Sequence, residues 1–363
     1  MPRIDAFLKL GLAQGCSDVH LAVGVPPMLR MHGDLMPIKF RDLSDSELEN
    51  YIMEILSDAQ QNRFHSGVDL DFSYVGEDKS RFRVNVFRKD TGIGAVFRHI
   101  PNEVPSLESL DLPKAVKGFC DYHQGMVLVT GSTGTGKSTT LAAMINHLNE
   151  TRNLNIISLE DPIEFVHPSK NSQVIQRELG THLTSFADGV RSAMREDPDV
   201  ILVGEMRDAE TISMAMTAAE TGHLVLGTLH TTSAVKTIDR IIDALPGELR
   251  EQTKSFLSQS LKAVVTQALV KTPDGRGRRA ILEILVNTRA IAKLIMADQT
   301  HQIPAQLTTG RGLGMQSMDR ALLEAVERGH IDPDDAVRFA TDKGRLQRHV
   351  TDTSVLRMVD ADA

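Results

Sequence analysis

The sequence predicts an α/β protein in which a parallel sheet follows a smaller α/β module. Three observations carry that reading. Four nearly continuous apolar runs, MVLVT (126–130), NIISLE (155–160), DVILVGE (199–205) and HLVLGTLH (223–230), each end in polar residues. Helical segments at 138–150, 184–197 and 208–221 separate them. A glycine-rich turn, GSTGTGKS (131–138), joins the first run to the first of these helices. Strands that are apolar on both faces, linked by helical crossovers, build a parallel sheet covered on both sides.

The first hundred residues follow another pattern. A helix near 3–14 precedes SDVHLAV (17–23), where alternation predicts a strand. PPMLRMHGDLMPI (26–38) reads as a hairpin turning near Gly33 and Asp34. Residues 44–67 carry apolar positions at helical spacing, with Ser44 or Ser46 as N-cap. Segments 69–75, 80–90 and 92–100 alternate as half-buried antiparallel strands do. Residues 100–113 hold three prolines and no clear period, which puts a linker at 101–113 between a domain at 1–100 and another at 114–363. Helices dominate from 233 onward, interrupted by a strand at 279–286, and 351–363 read as a poorly ordered tail.

Composition narrows the class. The chain has 363 residues, 41% hydrophobic and 24% charged, enough for two domains with real cores. A net charge of −8 gives no general basic field for nucleic acid. Cys16 and Cys120 are far apart and form no CxxC pair, so they read as reduced thiols and exclude a four-cysteine zinc site. The N-terminus lacks the apolar run of a secretory signal, and charge interrupts every apolar stretch short of the ~20 residues of a membrane span. The expected compartment is the cytoplasm.

Gly131, Gly136, Lys137 and Ser138 satisfy GxxxxGK[ST], with Gly134 as a third glycine. Backbone amides must turn inward around phosphate oxygens, in conformations that glycine accepts without Cβ strain. The next helix offers its N-terminal dipole and free amides. The cradle spans Gly131, Ser132, Thr133, Gly134, Thr135, Gly136, Lys137 and Ser138, with Thr139 behind it. Lys137 reaches the β- and γ-phosphates, and the Ser138 hydroxyl is a ligand for Mg²⁺.

Open α/β sheets bind ligands at the carboxyl ends of their strands. Glu160 and Asp161 end one strand and Glu205 another. An isolated acid there can simply cap the next helix, but two beside a phosphate loop point to chemistry. Glu205 suits a general base or orienter for the attacking water. His230, at the end of the following strand, would alone read as structural, but beside the same crevice it can hydrogen-bond the γ-phosphate and report its loss. His223 at the opposite end reads as structural.

GSTGTGKSTTLAAMI, IISLEDPIEF (156–165), REDPDVILVGEMRDAETI (195–212) and AAETGHLVLGTLHTTSA (218–234) resemble the Walker A, Asp, Walker B and His boxes of the secretion-superfamily ATPases. SDVHL, PPMLRMHGDL, RFRVNVF (81–87), THQIP (300–304) and GMQSMDRALLEAV (314–326) resemble its PilT-type twitching-motility branch. The resemblance implies a PAS-like N-terminal domain, a RecA-like ATPase domain with ATP between the two, and a homo-hexameric ring. It also implies the cytoplasmic face of the inner membrane, peripheral attachment, and a pilus platform protein as partner. By the same resemblance Lys137 and Ser138 take phosphate and Mg²⁺, Glu160 and Asp161 flank the metal, Glu205 is catalytic and His230 is the His-box residue. Arg81, Arg83 and Arg98 match segments that supply arginines to nucleotide. Alternation puts Arg81 and Arg83 on one strand face, which reads equally as a solvated basic edge.

Pilus-extension and type II secretion ATPases generally carry an additional N-terminal domain and a four-cysteine zinc motif, which this sequence lacks. The expected function is therefore an ATPase motor for pilus retraction. A PilU-like accessory ATPase or a non-motor nucleotide-dependent regulator is the alternative. One departure stands out. The branch typically carries AIRNLIRE where this chain has AIAKLIMA (290–297), so Ala292, Met296 and Ala297 replace two arginines and a glutamate. That change bears on retraction coupling rather than on ATP turnover.

Overall fold

The computed structural model describes residues 2–31, 34–100 and 103–352. The turn expected at Gly33 and the tail from 353 onward lie outside them. Contacts divide the chain into residues up to 103 with 162–166, and residues 104–161 with those from 167 onward.

In the first unit the described residues form a six-stranded antiparallel sheet with three helices. Its strands are β1 (Asp18–Ala22), β2 (Met28–Met31), β3 (Asp34–Pro37), β4 (Leu70–Val75), β5 (Arg81–Lys89) and β6 (Gly92–Ile100), in the order β3-β2-β1-β6-β5-β4. The helices are α1 (Asp5–Ala13), α2 (Asp45–Met53) and α3 (Asp58–His65). Alternation sends Val19, Leu21, Leu29, Phe82, Val84 and Phe97 into a core with Leu8, Leu48, Ile52 and Phe64 of the helices. The opposite sheet face carries a cross-strand row in which Asp18 pairs with Arg30 and Arg98, and Arg98 with Arg83. Where helical spacing runs through 44–67, the structure has two helices. Ser57 and Gln60 form a capping box, which satisfies free amides and starts α3 anew.

The second unit is built on a seven-stranded sheet. Its elements begin with α4 (Lys114–Phe119), β7 (Gly125–Thr130), α5 (Lys137–Thr151), β8 (Asn155–Glu160), β9 (Gln173–Glu178), α6 (Phe186–Ala193) and β10 (Val200–Val203). They continue with α7 (Ala209–Glu220), β11 (Leu224–Leu229), α8 (Ala234–Ala244), α9 (Arg250–Ser260), β12 (Leu261–Lys271) and β13 (Arg278–Val286). Strand order is β13-β12-β7-β11-β10-β8-β9, parallel except for the β12/β13 hairpin. One sheet face packs against Val190, Ile212, Ile238 and Leu257 of α6 to α9, the other against Val116, Phe119, Leu141 and Met144 of α4 and α5. Leu107, within the segment expected as linker, is buried in this second core. Beyond β13 come α10 (Arg289–Met296), α11 (Ile303–Thr309), α12 (Met318–Glu327) and α13 (Pro333–Ala336).

Two strands lie where the sequence predicts none. β9 is a short edge strand with little apolar content. β12, LKAVVTQALVK, falls inside the stretch expected to be helical and starts directly at the end of α9, with no Gly or Pro to separate them. The turn TPDGRG (272–277) and its run of β-branched residues were its signals.

Candidate nucleotide-binding site

β7 is buried along its whole length and delivers the chain to the glycine-rich loop at the carboxyl edge of the sheet. Gly131, Gly134 and Gly136 have φ of +140°, +79° and +85°, a region that L side chains rarely adopt. Space is also denied at two of them. A Cβ on Gly131 would come within 2.4 Å of the Gln267 carbonyl oxygen, and one on Gly136 within 2.9 Å of Gln267 Nε2. Gly136 is the N-cap of α5, so Lys137, Ser138 and Thr139 form the first turn, where helix amides are available to an anion. Lys137 is only 8% exposed, and its ammonium donates to the carbonyls of Gly131 (2.8 Å) and Ser132 (3.0 Å). The Thr135 hydroxyl closes the loop onto the same Ser132 carbonyl at 2.9 Å. Ser132, Thr133, Gly134 and Ser138 are exposed.

The neighbouring strand ends bring Glu205, His230 and Thr133 together. Glu205 follows β10 through Gly204, whose carbonyl accepts from the Thr228 hydroxyl of β11. His230 Nε2 lies 2.8 Å from Glu205 Oε1, and His230 Nδ1 lies 3.4 Å from Thr133 Oγ1. A polar chain thus runs from the β10 acid to the phosphate loop. The Arg207 guanidinium donates to the same Glu205 oxygen. Burial raises the pKa of Glu205, but Arg207 and His230 outweigh it and hold the carboxyl below its ordinary range. An ionised carboxylate here can accept a hydrogen bond from a water facing the loop.

Glu160 ends β8 and is held by the Ser158 hydroxyl at 2.7 Å and Gln176 Nε2 at 3.0 Å. Gln176 is itself fixed, accepting from the His167 amide at 2.8 Å. Asp161 is exposed and contributes to the field around Arg207. His223 sits at the other end of β11, where its Nδ1 lies 2.9 Å from the Ala218 carbonyl and closes the turn after α7.

The three arginines belong to the first unit. Arg83 pairs with Asp71 at 2.6 Å, both partly exposed, and the exposed Arg98 pairs with the buried Asp18 at 2.9 Å. Arg81 is half-buried at the start of β5, on the same face as Arg83. Sequence reasoning missed Arg207, Ser158, Gln176, Thr228 and Gln267. Arg207 was findable as a base two residues beyond Glu205, and Gln267 as a lone amide in an apolar run.

Residues 3–274 match the family described as Type II/IV secretion system protein. The chain is 51% identical over 314 residues to a twitching motility protein of Neisseria gonorrhoeae, covering 86% of this chain and 84% of that one. It is 48% identical over 333 residues to the type IV pilus retraction ATPase PilT of Pseudomonas aeruginosa, covering 92% and 96%. A crystal structure of the pilus retraction motor PilT with bound ADP superposes with a TM-score of 0.89 at 39% identity, covering 96% of this chain and 99% of that one. The chain belongs to the type II/IV secretion system protein family, within its branch of PilT-type twitching-motility ATPases.

Proposed function

We propose that the chain is an ATP-hydrolysing motor subunit that drives type IV pilus retraction and hence twitching motility. The observation that carries this is the Glu205–His230–Thr133 chain, which ties an ionised acid to the rim of the phosphate loop. Loop amides, the α5 N-terminus and Lys137 bind the polyphosphate of ATP, with Lys137 exchanging its loop carbonyls for phosphate oxygens. Glu205 orients the attacking water, and His230 senses loss of the γ-phosphate. Positioning and electrostatics supply most of the catalysis in such transfers.

The donors near the loop fit Mg²⁺. The Ser138 hydroxyl and the Glu160 and Asp161 carboxylates are hard oxygen ligands, and Mg²⁺ takes few protein ligands beside water and phosphate. When bound, Mg²⁺ neutralises charge on the β- and γ-oxygens. Arg81, Arg83 and Arg98 are proposed to close on nucleotide. Surface ion pairs such as Arg83–Asp71 are worth only about 0–1 kcal/mol, so a phosphate can displace them.

Nucleotide-driven movement of the N-terminal unit is a hinge transition. Relayed around a homo-hexamer at the cytoplasmic face of the inner membrane, it would act on a pilus platform protein, alone or beside a paralogous ATPase. Among the described residues no helix is long and apolar enough to cross a membrane. The test is complementation of a non-twitching, retraction-deficient strain. The chain restores motility and releases phosphate from ATP, while Glu205→Gln binds ATP but does neither. A chain that hydrolyses ATP without restoring retraction supports a regulator instead.

A further inference from the structure

We infer that Gln267 is a positioning residue that sets the orientation of one peptide in the phosphate loop. It lies on β12, next to β7, and is 4% exposed. Both ends of its amide are used. Nε2 donates to the Thr135 carbonyl at 2.6 Å, and Oε1 accepts from the Thr140 hydroxyl of α5 at 2.8 Å. The Thr135 carbonyl can only accept, which fixes the amide in one sense with Nε2 facing the loop, and the Thr140 hydroxyl, 1% exposed, donates to the remaining Oε1. In a trans peptide the C=O and the following N–H point in opposite directions. A Thr135 carbonyl drawn into the sheet by Gln267 therefore turns the Gly136 N–H outward, toward the phosphate side. The backbone of Gln267 also abuts Gly131, so one residue templates the first and last glycines of the motif. Each unsatisfied buried partner would cost more than the hydrogen bond itself contributes.

This inference rests on reading the loop as a phosphate cradle, and the experiment separates the two. ADP and adenosine affinities are measured by calorimetry on the full chain, for wild type, Gln267→Met, Gln267→Glu and Thr140→Val. If wild type binds no ADP, the cradle reading itself fails. If it does, Gln267→Met is expected to bind ADP about tenfold more weakly, by loss of a buried hydrogen bond, with adenosine affinity unchanged. Thr140→Val, which leaves the buried Oε1 without its donor and the amide less firmly held, should lose affinity in the same direction, and it decides the matter if Gln267→Met does not fold. Gln267→Glu presents an oxygen to the Thr135 carbonyl and loses ADP affinity at neutral pH. Its deficit relative to wild type should close as the pH falls, because a protonated carboxyl donates where the amide did. ADP affinities equal to wild type in the folded variants, or equal losses of ADP and adenosine, overturn the inference.

Discussion

Burial alone raises the pKa of Glu205, whereas the Arg207 guanidinium and His230 lower it, and the balance keeps the carboxylate ionised below the ordinary glutamate value of 4.5. A carboxylate held below its ordinary range is a weaker base, which favours the proposed role of orienting water over removing its proton early. Arg207 is the accessible lever, because its side chain is 74% exposed and its head group meets Glu205 directly. Arg207→Ala removes the largest lowering influence and leaves burial standing, so the Glu205 pKa rises. The acid limb of the kcat profile should then move to higher pH, read from phosphate release between pH 4 and 8. The linkage has a definite sign. A carboxyl whose folded-state pKa is depressed stabilises the fold above its unfolded value and loses that contribution as pH falls through the folded one. The melting-temperature advantage of wild type over Arg207→Ala should therefore be present at neutral pH and shrink on acidification. An acid limb that does not move would separate Arg207 from the titration of Glu205.

The ends of β8 and β10 act as one element, because Gly204 lets them approach. A Cβ there would meet the Leu159 carbonyl oxygen at 2.9 Å and Glu160 Cα at 3.2 Å, both backbone atoms that cannot rotate away. Gly204→Ala should push Glu160 and Glu205 apart together. We expect a stability loss of about 1–3 kcal/mol, as for overpacked cores, and a fall in kcat of up to about 100-fold from misplaced groups. Denaturant melts and steady-state kinetics check both, and an unchanged kcat in a destabilised protein would detach catalysis from this spacing. Gly204 stood out in the sequence only as the residue before Glu205, since close approach between strands leaves no mark in a single strand's pattern. The same limit explains the rest. β7, β8, β10 and β11 were legible because burial on both faces writes an apolar run, and the phosphate loop because its backbone demands glycine at particular offsets. β12 was masked, since a buried strand of 11 residues has the length and apolarity of a buried helix and only the TPDGRG turn and its β-branched residues set it apart. With β12 went Gln267, whose partners Thr135 and Thr140 are more than a hundred residues away. The break between α2 and α3 was hidden because apolar spacing continues across it, although the Ser57–Gln60 pair announced a new cap.

At the scale of the whole molecule, the proposed hydrolytic site and a surface proposed to couple it to a partner can be tested apart. α10 is capped by the Thr288 side chain and buries Ile291 and Ile295 on the side that packs against α9 and α11. Met296 and Ala297 are exposed and Ala292 half-buried, so the positions where PilT-type sequences carry two arginines and a glutamate lie on the outer side of the helix. Charges there would not enter the core, and surface substitutions usually stay within about 0.5 kcal/mol. They would instead give a partner cations and an anion to pair with, where Met296 now offers an apolar tip. The combined change Ala292→Arg, Met296→Arg and Ala297→Glu is therefore expected to leave kcat within about twofold of wild type. Retraction should respond in the opposite way. In a retraction-deficient strain expressing the variant, pilus retraction events and twitching-zone diameter should exceed those given by the unmodified chain. The two readouts must be taken on the same variant, because only their divergence identifies coupling. A parallel loss of ATP turnover would instead tie α10 to the nucleotide machinery, and unchanged retraction would show that this helix surface no longer limits the motor.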